Sequence, residues 1–128
     1  MKLTEYALAG LPLPGIVIDA HGHFGNETPF PLYDTGVPGL LAGMDRIGVD
    51  LFCVSPFLVL APGYARQAND QSLALLRKHP GRFYPYMIVD VAAQSGIVPE
   101  MERCLSGGLR AIKIHSYRSI PYSHPNYE

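Results

Sequence analysis

The sequence predicts an α/β fold built from parallel βα units, on three observations. Apolar, β-prone segments begin near residues 16, 51, 82 and 109, a repeat of about 30 residues, which is the size of one βα unit. Between them lie segments whose apolar residues recur at helical spacing. The strand segments are near-continuously apolar, as strands covered on both faces by helices are, and the alternation implies parallel strands joined by right-handed crossovers.

Each element has its own signal. Residues 1–15 read as a lead-in segment ending in LPLPG, which stops any helix and delivers the chain extended to the first strand. Residues 16–23 are that strand, and the loop GNETPFPLYDTG after it is rich in turn formers. Over 37–47 the residues Val37, Leu40, Leu41, Met44 and Ile47 fall at helical spacing, with Pro38 suited to the first turn and Gly48 to the stop. LFCVSPF, 51–57, is a second strand. Residues 62–79 form a second helix, opening at Pro62 and closing with Arg77, Lys78 and His79 at its negative end before Pro80 and Gly81. RFYPYMIVDV, 82–91, is a third strand that carries Pro85 in its first half. Residues 95–105 are a third helix with Ile97, Val98, Met101 and Leu105 on one side, and LRAIKIHS, 109–116, is a fourth strand. The tail YRSIPYSHPNYE has no clear periodicity.

Two architectures fit this order: an open doubly wound sheet, or part of a (β/α)8 barrel of the TIM type. No G-x-G-x-x-G or G-x-x-x-x-G-K-[ST] follows any strand, and polar residues gather at strand ends, so the barrel is favoured.

Composition bounds the function classes. The 128 residues are 48% hydrophobic and 16% charged, which is a globular rather than a disordered balance. A formal net charge of -1 gives no electrostatic footprint for nucleic acid or an anionic membrane. Cys53 and Cys104 lie in separate apolar segments and read as reduced core thiols. No apolar run approaches the ~20 residues of a membrane span, and Pro12 and Pro14 break up the N-terminus as a signal peptide, so a cytoplasmic location is expected.

The chemistry concentrates in IVIDAHGHFG. Strand alternation places Val17, Asp19, His21 and His23 on one face, with the two imidazoles about 7 Å apart along the strand at ~3.3 Å per residue. Neutral imidazoles on a rigid strand suit zinc or another first-row divalent ion, which lowers the pKa of bound water toward ~7 and polarises a substrate carbonyl. On the fourth strand, Ala111, Lys113 and His115 share one face and Ile112 and Ile114 the other. In a barrel the first set looks into the interior at the C-terminal mouth, beside His21 and His23, and the second toward the outer helices. Lys113 there binds a substrate carboxylate or, once carbamylated by CO2, supplies an oxygen ligand, and both roles stay open.

Other polar residues receive narrower expectations. His115 and Arg118 are candidates to contact substrate, Arg118 an anionic one, and Phe30, Tyr33, Tyr117 and Tyr122 to line an aromatic or carboxylate-bearing pocket. Asp19 is expected to hydrogen-bond deeper in the barrel rather than touch a metal, and Asp90 is either a site residue or a helix cap. His79 answers to the helix dipole and His124 belongs to a solvated turn. A nucleophile at Ser55, Cys53 or Cys104 is disfavoured, because none sits in a G-x-S-x-G elbow or a cysteine signature.

IVIDAHGHFG resembles the first strand of the amidohydrolase-related family (amidohydrolase 2 type) of the metal-dependent amidohydrolase superfamily. MDRIGVDLFCVSP, ANDQSLALLRKHPGRF and GGLRAIKIHSYRSIPYSHPNYE match its pattern in the same order and spacing, over nearly all of residues 14 to 128. The resemblance implies a (β/α)8 barrel holding one or two divalent ions, often zinc, that hydrolyses C–N or C–O bonds of small carbonyl substrates or, in some branches, decarboxylates aromatic acids. It implies metal ligation by His21 and His23 and a catalytic or bridging role for Lys113. Family members take further histidines from strands five and six and an aspartate, often the general base, from strand eight.

A whole barrel needs ~250 residues. Residues 16–128 are therefore expected to be its N-terminal half, strands one to four, truncated after strand four, with a catalytically incomplete half-barrel or binding module as the alternative. The expected partners are a small-molecule substrate and, across the unpaired edges of strands one and four, a second copy of the chain or the C-terminal half of the same barrel. Neither nucleic acid nor membrane is expected.

Overall fold

In the computed structural model, residues 2–28, 30–61, 63–93, 95–115 and 121–127 are described. The chain opens with a short helix, α1 (Leu3–Leu8), that buries none of its side chains. It is held locally, with the Glu5 carboxylate accepting the Lys2 amide at 2.9 Å, so the lead-in contains a helix that its sequence had not suggested. Then follow β1 (Ile18–Phe24), α2 (Val37–Ile47), β2 (Leu51–Pro56), a 3-10 turn (Phe57–Leu60) and α3 (Ala65–Lys78). The second half contains β3 (Phe83–Pro85), β4 (Met87–Val89), α4 (Ile97–Ser106), β5 (Ile112–Ile114) and a last 3-10 turn (Pro125–Tyr127). Every strand pairing is parallel: β1 with β2, β2 with β3, and β4 with β5. The predicted α/β class with parallel strands therefore holds. Among the described residues no helix is long and apolar enough to cross a membrane.

The helices lie where periodicity and turn chemistry put them. α2 has the predicted bounds, with Pro38 in its first turn and Gly48 ending it at φ 75°, a left-handed conformation costly for any residue with a Cβ. α3 begins at Ala65, three residues past the expected start at Pro62, which lies outside the described residues. Their apolar faces meet the strands in three buried clusters, one of them Leu58, Val59, Ala68 and Ile88 between the first 3-10 turn, α3 and β4. Phe24, Met44, Val54, Leu75 and Phe83 pack between β1–β3 and the helices α2 and α3, while Leu73, Met87, Cys104 and Leu109 pack between β4, α3 and α4. Cys104 is the core thiol expected, with its pKa pushed up to about 11, chiefly by burial. Cys53 is only half-buried, and both cysteines are free.

The expected third strand is two short ones joined at Tyr86, and Pro85 accounts for the break. Backbone groups of a strand address its two neighbours alternately. The Arg82 carbonyl and the Tyr86 amide bond to β2, to Phe52 N at 2.9 Å and Val54 O at 2.9 Å, while Met87 N donates to Ala111 O beside β5 at 2.8 Å. Pro85 falls on the β5 side of that alternation and has no N–H to give, so pairing with β5 begins at Met87. On the β2 side the next groups belong to Ile88, but β2 ends at Pro56. The Asn69 side chain of α3 takes that place: Oδ1 accepts Ile88 N–H at 2.6 Å and Nδ2 donates to Ile88 O at 3.2 Å and to Glu100 Oε1 at 2.9 Å. Asn69 is fully buried, a polar side chain standing in for a strand.

At β5 the expectation needs correction. Only Ile112–Ile114 is strand; Leu109 is buried, and its amide still bonds back to Cys104 O at 3.0 Å in the turn that closes α4. Ile112 and Ile114, expected under outer helices, are 46% and 39% exposed.

Asn69→Ala is expected to lower stability by about 3 kcal/mol, since it strands the Ile88 amide and carbonyl and removes a donor from Glu100. The measurement is a urea midpoint at constant m-value. A midpoint within error of wild type would show that the amide is dispensable.

Candidate metal centre

The first strand does not alternate strictly. Asp19 lies level with Phe52, but Gly22 lies level with Val54 and His23 with Ser55, so β1 spends three residues where β2 spends two. The extra residue is a β-bulge at Ala20–His21, and it reverses which parity faces which side. Phe52 and Val54 pack against the helix-facing core, so Asp19, Gly22 and Phe24 align with that face and His23 aligns with Ser55 on the other. The prediction that Asp19 and His23 share a face is thus incorrect, for a register reason that periodicity does not encode. Without the bulge, His21 would lie level with Val54 and both histidines would point at the helices. Gly22 is required for the same packing: the Phe52 ring lies over it, and a Cβ at 22 would overlap that ring.

On the inner face the histidines meet. Their ring centroids are 5.3 Å apart, edge to face at 62°. His23 stacks on Phe57 with centroids 5.1 Å apart, and its Nδ1 lies 3.1 Å from Ser55 Oγ. Ser55 is fully buried, so it serves as a hydrogen-bond partner of His23 rather than as a nucleophile open to substrate. Lys113 Nζ lies 3.0 Å from His21 Nε2. An ammonium only donates, so His21 accepts through Nε2 and carries its proton on Nδ1. β1 belongs to the three-stranded ladder β1-β2-β3 and β5 to the two-stranded ladder β4-β5, with β3 and β4 joined in the chain through Tyr86. The Lys113–His21 contact therefore joins the two ladders on this face.

Electrostatics favours neutral imidazole. The pKa of His23 is held below its ordinary value of 6.5, first by burial, then by the charges of His21 and Lys113, with a smaller push from His115, while Ser55 acts the other way. His23 is thus neutral at pH 7, the form that donates a lone pair to a metal. The donor set is two imidazole nitrogens from one strand, with Lys113 beside them. Among the described residues no third His, Cys, Asp or Glu joins them in a ligand group. The pair fits part of a tetrahedral first-row site.

The other candidates fall as follows. His115 is exposed just beyond β5 and its charge reaches His23. Arg118 and Tyr117 lie outside the described residues. Phe30, Tyr33 and Tyr122 are exposed, Tyr122 against Tyr127 with ring centroids 5.3 Å apart. Asp19 accepts the His21 amide at 3.0 Å. Asp90 acts as a backbone cap, accepting Gly63 N and Ala92 N, each at 3.0 Å. His79 closes α3, as its dipole role requires, and sets its ring edge-on to Phe83. Sequence reading missed Phe57 and Tyr86 and, while disfavouring Ser55 as a nucleophile, assigned it no place beside His23. The available signal was the polar Ser55 at the end of an apolar strand, the position from which a neighbouring strand's histidine is reached.

No family model, curated protein or solved structure matches the chain.

A depressed histidine pKa makes stability pH-dependent. Above pH 6.5 both folded and unfolded His23 are neutral; below it the unfolded chain takes up a proton that the folded one refuses, and stability falls until the folded pKa is passed. Metal-free protein is expected to lose urea resistance as pH drops below about 6.5, and His23→Gln to flatten that part of the profile. Superimposable profiles for the two proteins would refute the assigned shift.

Proposed function

We propose that this chain carries the metal-binding half of a metal-dependent hydrolase of the amidohydrolase-related type, with His21 and His23 holding a divalent ion, zinc foremost. The single observation that carries the reading is the His21–His23 pair on the inner face with the Lys113 ammonium already seated against the Nε2 lone pair of His21. A position that accommodates a cation on a neutral imidazole suits a metal ion. The ion, when bound, supplies Lewis acidity toward water and a substrate carbonyl. The chain's own residues hold and orient: Ser55 and Phe57 fix the His23 ring, and Lys113, released from His21, is free to bind a substrate carboxylate or, carbamylated, to bridge.

The finer architecture belongs to the same proposal. Within two parallel ladders, β1-β2-β3 and β4-β5, the strands follow one another in chain order, and the Lys113–His21 contact joins the ladders on the histidine face; these observations support the reading as strands one to four of a (β/α)8 barrel. β1 and β5 each have one paired neighbour among the described residues. Exposed Ile16 and Ile18 on one side, and Ile112 and Ile114 on the other, suit further strands from the same barrel or from a second copy. One observation favours a second reading, a catalytically incomplete cation-binding module: the missing third ligand among the described residues.

Zinc or cobalt titration tests the ligand role. Wild type is expected to bind one ion per chain, and His21→Ala with His23→Ala together to abolish it. Lys113→Met separates the two lysine roles, because it tightens binding if the ammonium merely competes for His21 and weakens it if a carbamate ligates. Ion binding that survives the double histidine change would end the proposal.

Light scattering tests the open edges. A mass above the monomer that rises with concentration is expected, and a monodisperse monomer with cooperative melting would contradict it.

A further inference from the structure

The bulge in β1 is held by side chains that no catalytic reading uses. Upstream, Asp50 clips Val17 through Asp50 N to Val17 O at 2.9 Å and Val17 N to Asp50 Oδ2 at 2.8 Å, and Ile18 and Asp19 keep step with Leu51 and Phe52. Downstream, Gly22 is fixed beneath the Phe52 ring and Phe24 in the core. The surplus residue must therefore be absorbed by Ala20 and His21. Both polar groups of the peptide joining them leave the strand ladder for side chains. Its carbonyl, Ala20 O, accepts the Tyr86 hydroxyl at 3.0 Å, and its amide, His21 N–H, donates to Asp19 Oδ1 at 3.0 Å.

We propose that Asp19 and Tyr86 are positioning residues that clamp the Ala20–His21 peptide from opposite ends and so aim the His21 ring at Lys113 and His23. Rotating that peptide changes ψ of Ala20 and φ of His21 together. Rotation of the peptide alone leaves the His21 Cβ nearly in place; loss of either partner instead frees the surplus residue to settle elsewhere between the anchors at 17–19 and 22–24, which turns the backbone at His21 and with it the direction of its ring. His23 lies beyond the second anchor and has its own supports in Ser55 and Phe57, so the clamp acts on His21 selectively. The Tyr86 phenol is kept protonated through neutral pH, with its pKa raised by burial and by the neighbouring Cys53, so it remains a donor to Ala20 O. Asp19 is exposed, as is His21, but the carboxylate lies two residues away from the amide it accepts, and such short-range bonds form in local turns without burial. The consequence for metal binding rests on the function proposed above; the orientation of His21 does not.

The test is made first without metal. Nuclear Overhauser contacts are measured between the His21 ring and Lys113, between the His21 and His23 rings, and, as an internal control of fold, between His23 and Phe57, in wild type, Tyr86→Phe, Asp19→Ala and Asp19→Asn. Tyr86→Phe and Asp19→Ala are expected to lose both His21 contacts and keep the His23–Phe57 contact. Asp19→Asn retains an amide oxygen able to accept the His21 N–H and is expected to restore the wild-type pattern. Persistence of the His21–Lys113 contact at wild-type strength in both Tyr86→Phe and Asp19→Ala overturns the clamp. Zinc titration of the same proteins then reads the consequence: a fall of about 10- to 100-fold in affinity for the two disrupting variants, the range seen when outer-shell partners of a ligand are removed, with Asp19→Asn near wild type. If the His21 contacts vanish and wild type binds no zinc, the clamp stands and the metal-dependent reading fails.

Discussion

The contact on which the site depends is the Phe52 ring lying over Gly22. It ties β1 to the helix-facing side of β2 at the residue between the two histidines, and burial of Phe24 with Met44, Val54 and Phe83 extends that tie by two residues. Once Gly22 and Phe24 are committed to the helix side, pleating sends His21 and His23 to the other. The upstream strand is committed in the opposite parity, with Asp19 level with Phe52. One residue of slack is the unavoidable result, and it falls on the peptide preceding His21. Packing on one face thus determines what the other face can present.

The inner face is rich in nitrogen donors: two imidazoles in edge contact, an ammonium against one of them, and a third imidazole close enough to depress the pKa of His23. Such an arrangement is strained as a set of cations and comfortable as a set of neutral ligands around one. Under the proposed function His21 and His23 would hold the divalent ion, which would supply Lewis acidity, and Lys113 would be placed to meet an anionic group.

Much of the fold was legible because it rests on local chemistry. The bounds of α2 follow from Pro38, Gly48 and five apolar residues at helical spacing, and the βα order follows from apolar runs separated by amphipathic ones. Tertiary effects account for what was not legible. Pro85 was noted as a flaw in the third strand, yet its effect, handing the pairing from β2 to β5 at Met87, requires knowing which neighbour each backbone group faces. Asn69 reads as an ordinary polar residue of a helix, and only the early end of β2 turns it into a strand surrogate for Ile88. The face shared by His21 and His23 was expected correctly, but Asp19 was added to it by an alternation that the bulge breaks. The lack of an elbow motif already argues against Ser55 as a nucleophile, but that its hydroxyl is sealed against His23 depends on the pairing of β1 with β2 and is not written in the sequence.

The central claim, that His21 and His23 together hold a divalent ion, is most directly tested by X-ray absorption at the zinc K-edge of protein loaded with one equivalent of zinc. Two imidazole scatterers with Zn–N distances near ~2.0 Å, one of them lost in His21→Ala and one in His23→Ala, are expected. A spectrum of hydrated zinc without imidazole scattering, or one unchanged by either substitution, would contradict it.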